Sequence, residues 1–270
     1  MREEDYRFFQ AHGYVSLGRI LTDRELERFV KVYDRDRSET AAFWYRFGHH
    51  QTVNCDALVS SPEFDEVIRH PKVMEPLRAL MGGEVCFSEI CIRHMTPHAG
   101  EPHQGWHRDR PHWHEHPLRL DYIQLMLYLT DVGETTHCFS ISPESVEDEI
   151  LGAEAQLERG GSHDLHGEAG TAILFNVSVL HTATVRVTQK ERKTVQVYYG
   201  HRNRKFLSDD SLIPTTLWRD HPDAEVRAFY GVFNNKTREY LERTASRPNL
   251  SLQEMGEILY QIDRENGKRK

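Results

Sequence analysis

Apolar positions recur with a helical period in the first third of the chain. In "LTDRELERFVKVYD", Leu26, Phe29, Val30 and Tyr33 keep one face of a 3.6-residue turn. Thr22 and Glu25 stand at capping-box spacing, and Leu21 and Leu26 stand where a hydrophobic staple closes over that cap. "HPKVMEPLRALMGG" predicts a second helix, with Val73, Leu77, Leu80 and Met81 on one face and Gly82 and Gly83 as its stop. From residue 84 the period shortens. "EVCFSEICIRHM", "LDYIQLMLYLTDV", "THCFSIS", "GTAILFNVSVLH" and "KTVQVYYGHR" are short runs of β-branched and aromatic residues between Gly, Pro and polar clusters. Most are not separated by a helix of crossover length, so an antiparallel double sheet or barrel fits better than a βαβ fold. The tail "SLQEMGEILYQIDREN" returns to a helical period, capped by Ser251 and Glu254, with Met255, Ile258, Leu259 and Ile262 facing inward.

Composition narrows the class. At 270 residues the chain can bury about three quarters of its unfolded surface. A net charge of −8 argues against nucleic acid or an anionic membrane as partner. No run of eighteen apolar residues exists, and the opening "MREEDYRFFQ" is charged where a signal peptide is apolar. A cytoplasmic, soluble protein of one domain is the expectation. Cys55, Cys86, Cys91 and Cys138 lack CxxC spacing and read as buried free thiols. The unusual count is 17 His, since imidazole is the commonest transition-metal ligand.

Four of those histidines and one aspartate fall in "GWHRDRPHWHEH". Within it, His107 and Asp109 are two residues apart. On an extended strand, i and i+2 point the same way, so an imidazole and a carboxylate can take adjacent positions on one metal. A third ligand completes a 2-His-1-carboxylate triad of the non-haem Fe(II) kind, which leaves three positions open for a chelating cosubstrate and O₂. A second HxD, His221 to Asp223, has no histidine after it. Downstream of Asp109, His181 stands out because it ends the apolar run "TAILFNVSVL". The distal carboxylate of a chelating cosubstrate needs a cation, best a bidentate Arg. Arg192 lies eleven residues after His181, at the head of "RKTVQVYYG". A strand ending at His181 and a return strand starting at Arg192 would bring both into one barrel. His112, His114 and His116 also alternate, but Pro111 and Pro117 and the charges between them indicate a solvated loop.

"HRD" followed by "HTATVRVTQKERK" resembles the phytanoyl-CoA dioxygenase family of Fe(II)/2-oxoglutarate oxygenases, as do "FFQAHGYVSLGRILTDRELERF" and "LYLTDVGETTHCFSISPES". The resemblance runs from about residue 5 to about residue 205. Two departures, Thr182-Ala183 after the distal histidine and "ESV" after Pro143, touch loop and cosubstrate detail more than the metal. It implies a mainly β fold with flanking helices: a double-stranded β-helix, or jelly roll, with N-terminal helices packed on one sheet and a C-terminal helix. The expected division is a helical part over about 1–83, a jelly-roll core over about 84–205 and an extension over about 206–270, all within one domain spanning 1–270. It further implies Fe(II), 2-oxoglutarate and O₂, with His107, Asp109 and His181 as ligands and Arg192 as anchor. On the strand "YIQLMLY", Met126 falls where the family often packs an aromatic on 2-oxoglutarate, and Gln124 is one step along. Cys91, on the preceding strand, has a similar claim.

For substrate, "AAFWYRFGHHQ" and the stretch after Asp109 are the segments in which the family varies its contacts. Trp44, Arg46 and His49 are the candidates, and their character points to a polar or anionic small molecule, not a long acyl chain. The expected reaction is hydroxylation with release of succinate and CO₂. A halogenase on the same scaffold would replace the carboxylate with Ala or Gly, which Asp109 argues against. A non-enzymatic jelly-roll binding protein is the alternative from another class, and succinate release separates the two. Sequence does not set the oligomeric state.

Overall fold

A computed structural model describes residues 1–48, 50–204, 208–247 and 249–268. The strands are β1 (Tyr14–Arg19), β2 (Tyr45–Phe47), β3 (Gln51–Asn54), β4 (Val85–Met95), β5 (Tyr122–Tyr128), β6 (Cys138–Ile141), β7 (His163–Leu165), β8 (Thr171–Asn176), β9 (His181–Thr184) and β10 (Arg192–His201). Two antiparallel sheets result. The larger runs β1-β8-β5-β10-β4-β3-β2 and the smaller β7-β6-β9. Residues 98–107 run antiparallel beside the chain from His181 to Thr188, joined by bridges at His98, His103 and His107. The jelly-roll expectation is met.

The larger sheet has two unlike faces. Ile90, Ile92, Leu125, Leu127, Val195 and Val197 point outward into one continuous apolar core. Against them pack Phe29 and Tyr33 from the helix Asp23–Glu39, and Leu77 and Leu80 from the helix Pro71–Met81. The Thr22–Glu25 capping box forms as its spacing predicts, and Gly82 ends the second helix at φ 63°, a conformation that glycine adopts without Cβ strain. On the inner face, Tyr122, Met126, Tyr128, Ile173 and Phe175 meet Phe139 and Ile141 of the smaller sheet. Strand β5 thus divides its residues by the two-residue alternation expected of it.

Two readings of the chain are corrected. The first third is not purely helical: β1, β2 and β3 interrupt it and extend both edges of the larger sheet. Each is six residues or fewer, and pairing with β8 or β4 supplies what so short a pattern does not declare. Secondly, His181 opens a strand instead of ending one. The run "TAILFNVSVLH" breaks at Asn176, whose side-chain oxygen accepts from the Ser178 amide at 2.9 Å while its carbonyl accepts from Val179. Such Asn-centred turns reverse a chain cheaply. The chain therefore leaves the larger sheet at Asn176 and enters the smaller one at His181.

The C-terminal helix Leu252–Glu265, capped by Ser251 and Glu254 as expected, is docked through a buried cation. Lys236 Nζ lies 2.8 Å from Asp56 Oδ2, 2.8 Å from Asp263 Oδ1 and 2.8 Å from the Asp210 carbonyl. All three charged side chains are buried. Removing one partner from such a cluster costs about 3–5 kcal/mol, because the remaining charges stay desolvated. Lys236→Ala should lower the unfolding free energy by that order. Urea denaturation of the variant and the parent, read by fluorescence, measures the difference.

Candidate active site

His107 and His181 face each other across a two-way backbone pairing. Each amide donates to the other's carbonyl at 3.0 Å, and the Asp109 amide donates to Val177 at 3.0 Å. The HxD segment is thereby bolted onto the chain on either side of the Asn176 turn. The side chains converge. His107 Nε2 is 3.3 Å and His181 Nε2 3.7 Å from Asp109 Oδ1, and the imidazole centroids are 4.5 Å apart. His181 and Asp109 are largely covered, while His107 is half exposed.

The inactive side of each ring is already committed. His107 Nδ1 lies 2.7 Å from the Gly105 carbonyl, and His181 Nδ1 lies 2.8 Å from the Val179 carbonyl. A carbonyl can only accept, so each Nδ1 carries the hydrogen. Both Nε2 lone pairs then point toward a carboxylate. Only a cation makes that arrangement favourable, whether a proton on a ring or a metal between all three. A proton works electrostatically: Asp109 raises the His107 pKa. Burial alone would push the Asp109 carboxyl up, but hydrogen bonding with His107, His181 and Tyr198 outweighs it and holds it below the usual range. A divalent metal serves better, because it uses all three groups and matches a 2-His-1-carboxylate donor set. Tyr198 on β10 donates its hydroxyl to Asp109 Oδ2 at 2.8 Å, leaving Oδ1 for the metal.

These residues line a cavity of about 610 Å³ between the sheets. Arg192 lines it too, at 1% exposure, and its Nε and Nη1 have no hydrogen-bond partner among the described residues. Burial pulls its pKa down from the ordinary value. A buried guanidinium with two unanswered donors calls for an anion. Gln124 and Met126 lie on the same wall, and Gln124 Nε2 donates to Gln196 Oε1 at 2.9 Å. The Cys91 thiol instead lies 3.3 Å from that of Cys55, and of this pair Cys55 lines the cavity.

Of the expected substrate contacts, Trp44 and Arg46 line a neighbouring groove of about 1330 Å³ against the C-terminal helix, with the Trp44 indole donating to Asp36 Oδ1. His49 falls outside the described residues. The cavity itself receives Tyr45 and Phe47 from β2, Glu89 and Arg93 from β4, and residues 208–210. Tyr45 and Phe47 fall within the segment "AAFWYRFGHHQ" expected to meet substrate, whereas Glu89, Arg93 and residues 208–210 have no place on the expected substrate wall. The signal for Glu89 and Arg93 was a pair of charges inside the mainly apolar run "VCFSEICIRHM". His112 turns away to Glu144, 3.4 Å from its Oε1, and His116 Nε2 meets the Met81 carbonyl, so these two do not share a metal site.

Residues 9–194 match the family model for phytanoyl-CoA dioxygenase (PhyH). That span is well over half of the chain. The chain belongs to the phytanoyl-CoA dioxygenase family. L-proline trans-4-hydroxylase of Streptomyces griseoviridis is 24% identical over 179 residues, which cover 53% of this chain and 66% of that enzyme. EctD from S. alaskensis with 2-oxoglutarate and 5-hydroxyectoine superposes with a TM-score of 0.66 at 18% identity, covering 84% of this chain and 86% of that one. The 2-oxoglutarate-dependent carbocyclase SnoK from nogalamycin biosynthesis gives 0.63 at 18% identity, covering 75% and 85%. Phytanoyl-CoA dioxygenase family members and these structural neighbours are iron- and 2-oxoglutarate-dependent oxygenases.

Each of His107→Ala, Asp109→Ala and His181→Ala should abolish stoichiometric Fe(II) binding while the protein stays folded. Tyr198→Phe should weaken it by about tenfold to a hundredfold, the usual effect of losing an outer partner of a ligand. Anaerobic metal titration checks both, and full-strength binding in any of the three Ala variants rejects the assignment.

Proposed function

We propose that the protein is an Fe(II)- and 2-oxoglutarate-dependent dioxygenase that hydroxylates a polar small molecule. The observation that carries this reading is the pairing, in one cavity, of a two-histidine, one-carboxylate cluster with a buried guanidinium whose Nε and Nη1 have no hydrogen-bond partner among the described residues. When bound, iron and 2-oxoglutarate activate O₂ for attack on a substrate C–H bond, releasing succinate and CO₂. The chain's own residues do the rest. His107, Asp109 and His181 would hold the metal. Arg192 pairs with the distal carboxylate, and Met126 and Gln124 border the chelate. Tyr198 fixes the Asp109 carboxylate in the orientation that keeps Oδ1 turned inward.

A polar substrate suits the remaining wall. Glu89, Arg93, Asp209 and Asp210 would have to be desolvated beside an acyl chain at heavy cost. The named activities of the relatives agree, since proline and hydroxyectoine are polar. Asp109 sets the site apart from halogenases of this scaffold, which lack that carboxylate.

Purified protein with Fe(II), ascorbate and 2-oxoglutarate should release succinate. Truncating one member of a buried charge pair costs about 2–5 kcal/mol. Arg192→Ala should therefore raise the 2-oxoglutarate requirement by at least about tenfold, with iron binding intact. An unchanged requirement assigns the carboxylate to another cation.

A further inference from the structure

Strand β4 carries an extra residue. Its register with β10 pairs Glu89 with Tyr198 and Phe87 with Tyr199, so Ser88 is left without a partner. Residues two apart on a strand normally share a face. Here the bulge separates them: Phe87 points outward, into the core beneath Tyr230, whereas Glu89 lines the inner cavity. Beyond Glu89 the regular alternation resumes, and Arg93 reaches the cavity from the same strand. Bulges beside active sites commonly re-aim a side chain. This one directs a carboxylate at the open part of the site.

Glu89 is 5% exposed and forms no ion pair among the described residues; its polar neighbour is the Ser208 hydroxyl, which also donates to Asp210 Oδ2 at 3.0 Å. Asp210 does have a cation, Lys268, at 2.6 Å. Burial and the nearby Asp210 charge push the Glu89 carboxyl up to about 7. Arg93 is the complementary case. Its Nε is buried without an acceptor among the described residues, its Nη1 reaches Gln51 Oε1 only at 3.4 Å, and its guanidinium lies 4.7 Å from the Phe47 ring centroid. Glu89 and Arg93 form no ion pair with each other, although each feels the other's charge across the cavity. On the inner face of β4, beside the strand that carries Arg192, the cavity therefore holds a buried carboxyl and a half-buried guanidinium, neither in an ion pair among the described residues, with Tyr45 and Phe47 beside them. An unmatched buried charge is costly unless a ligand completes it.

We propose that the substrate is a zwitterionic, amino-acid-like small molecule whose cationic nitrogen is taken by Glu89 and whose carboxylate is taken by Arg93. The inference rests on the oxygenase reading of the site, because it assigns to substrate the wall that iron and 2-oxoglutarate leave free. Both charges are held at fixed points, so the molecule is oriented before any C–H bond is presented. A long acyl chain or a simple dianion would leave Glu89 uncompensated.

The test is calorimetric and needs no turnover. Free L-proline, L-arginine, L-lysine, L-glutamine and β-alanine, each with its N-acetyl and its carboxamide derivative, are titrated into protein loaded with Mn(II) and 2-oxoglutarate. At least one free amino acid should bind, and should weaken at least tenfold on acetylation and at least tenfold on amidation. Glu89→Gln should erase the first discrimination and Arg93→Gln the second, each sparing the other. The wild-type series stands without either variant if they fail to fold. Binding that is indifferent to acetylation, preference for molecules without an amine, or no binding by any free amino acid overturns the proposal. Failure of 2-oxoglutarate itself to bind the Mn(II)-loaded protein rejects the oxygenase reading instead, and the charge discrimination is then read on the metal-loaded protein alone.

Discussion

His107 and His181 each commit their Nδ1 hydrogen to a backbone carbonyl, so two imidazole lone pairs are forced to face the Asp109 carboxylate. Three acceptors converging within 4.8 Å repel one another unless a cation stands among them. The surrounding structure makes that convergence unavoidable. The two-way pairing of residues 107 and 181 prevents the strands from sliding apart, and Tyr198 holds the carboxylate from the opposite sheet. A metal centre thus belongs to the backbone architecture as much as to three side chains.

That architecture also explains the cavity around it. The Asn176 turn carries the chain from one sheet to the other, so ligands and anchor arrive from opposite layers. His181 begins β9 in the smaller sheet and Arg192 begins β10 in the larger one. Apolar packing of helices on the outer face supports the larger sheet, which frees its inner face to carry Gln124, Gln196, Arg192, Glu89 and Arg93. Polar groups on a barrel interior are tolerated when they are paired with one another or with a ligand. Gln124 and Gln196 pair with each other, whereas Arg192, Arg93 and Glu89 form no ion pair among the described residues.

Much of this was legible in the chain. Local rules are short range: capping boxes, the αL glycine after Met81, the alternation of β5 and the two-residue HxD spacing all depend on neighbours, and all appear where expected. The eleven-residue offset from His181 to Arg192 was equally visible, although the intervening chain crosses between sheets instead of forming one hairpin. Substrate-side residues were not. Simple alternation places Glu89 on the face of Phe87, and only the unpaired Ser88 reverses it. β2 and β3 acquire their orientation by pairing on the edge of β4, which sets Tyr45 and Phe47 between the cavity and the outer groove and leaves Arg46 on the groove. Residues 208–210 reach the cavity through tertiary contacts that leave no periodic signature.

One metal should complete the cluster of His107, Asp109 and His181, and one dicarboxylate should complete Arg192. A crystal structure with Mn(II) and 2-oxoglutarate tests this most directly, because Mn(II) gives an anomalous signal without turning over. A single anomalous peak should appear, enclosed by His107 Nε2, Asp109 Oδ1 and His181 Nε2, with the distal carboxylate of 2-oxoglutarate on Arg192 Nε and Nη1. A metal bound elsewhere, or the distal carboxylate on Arg93 with Arg192 still unpartnered, would contradict it.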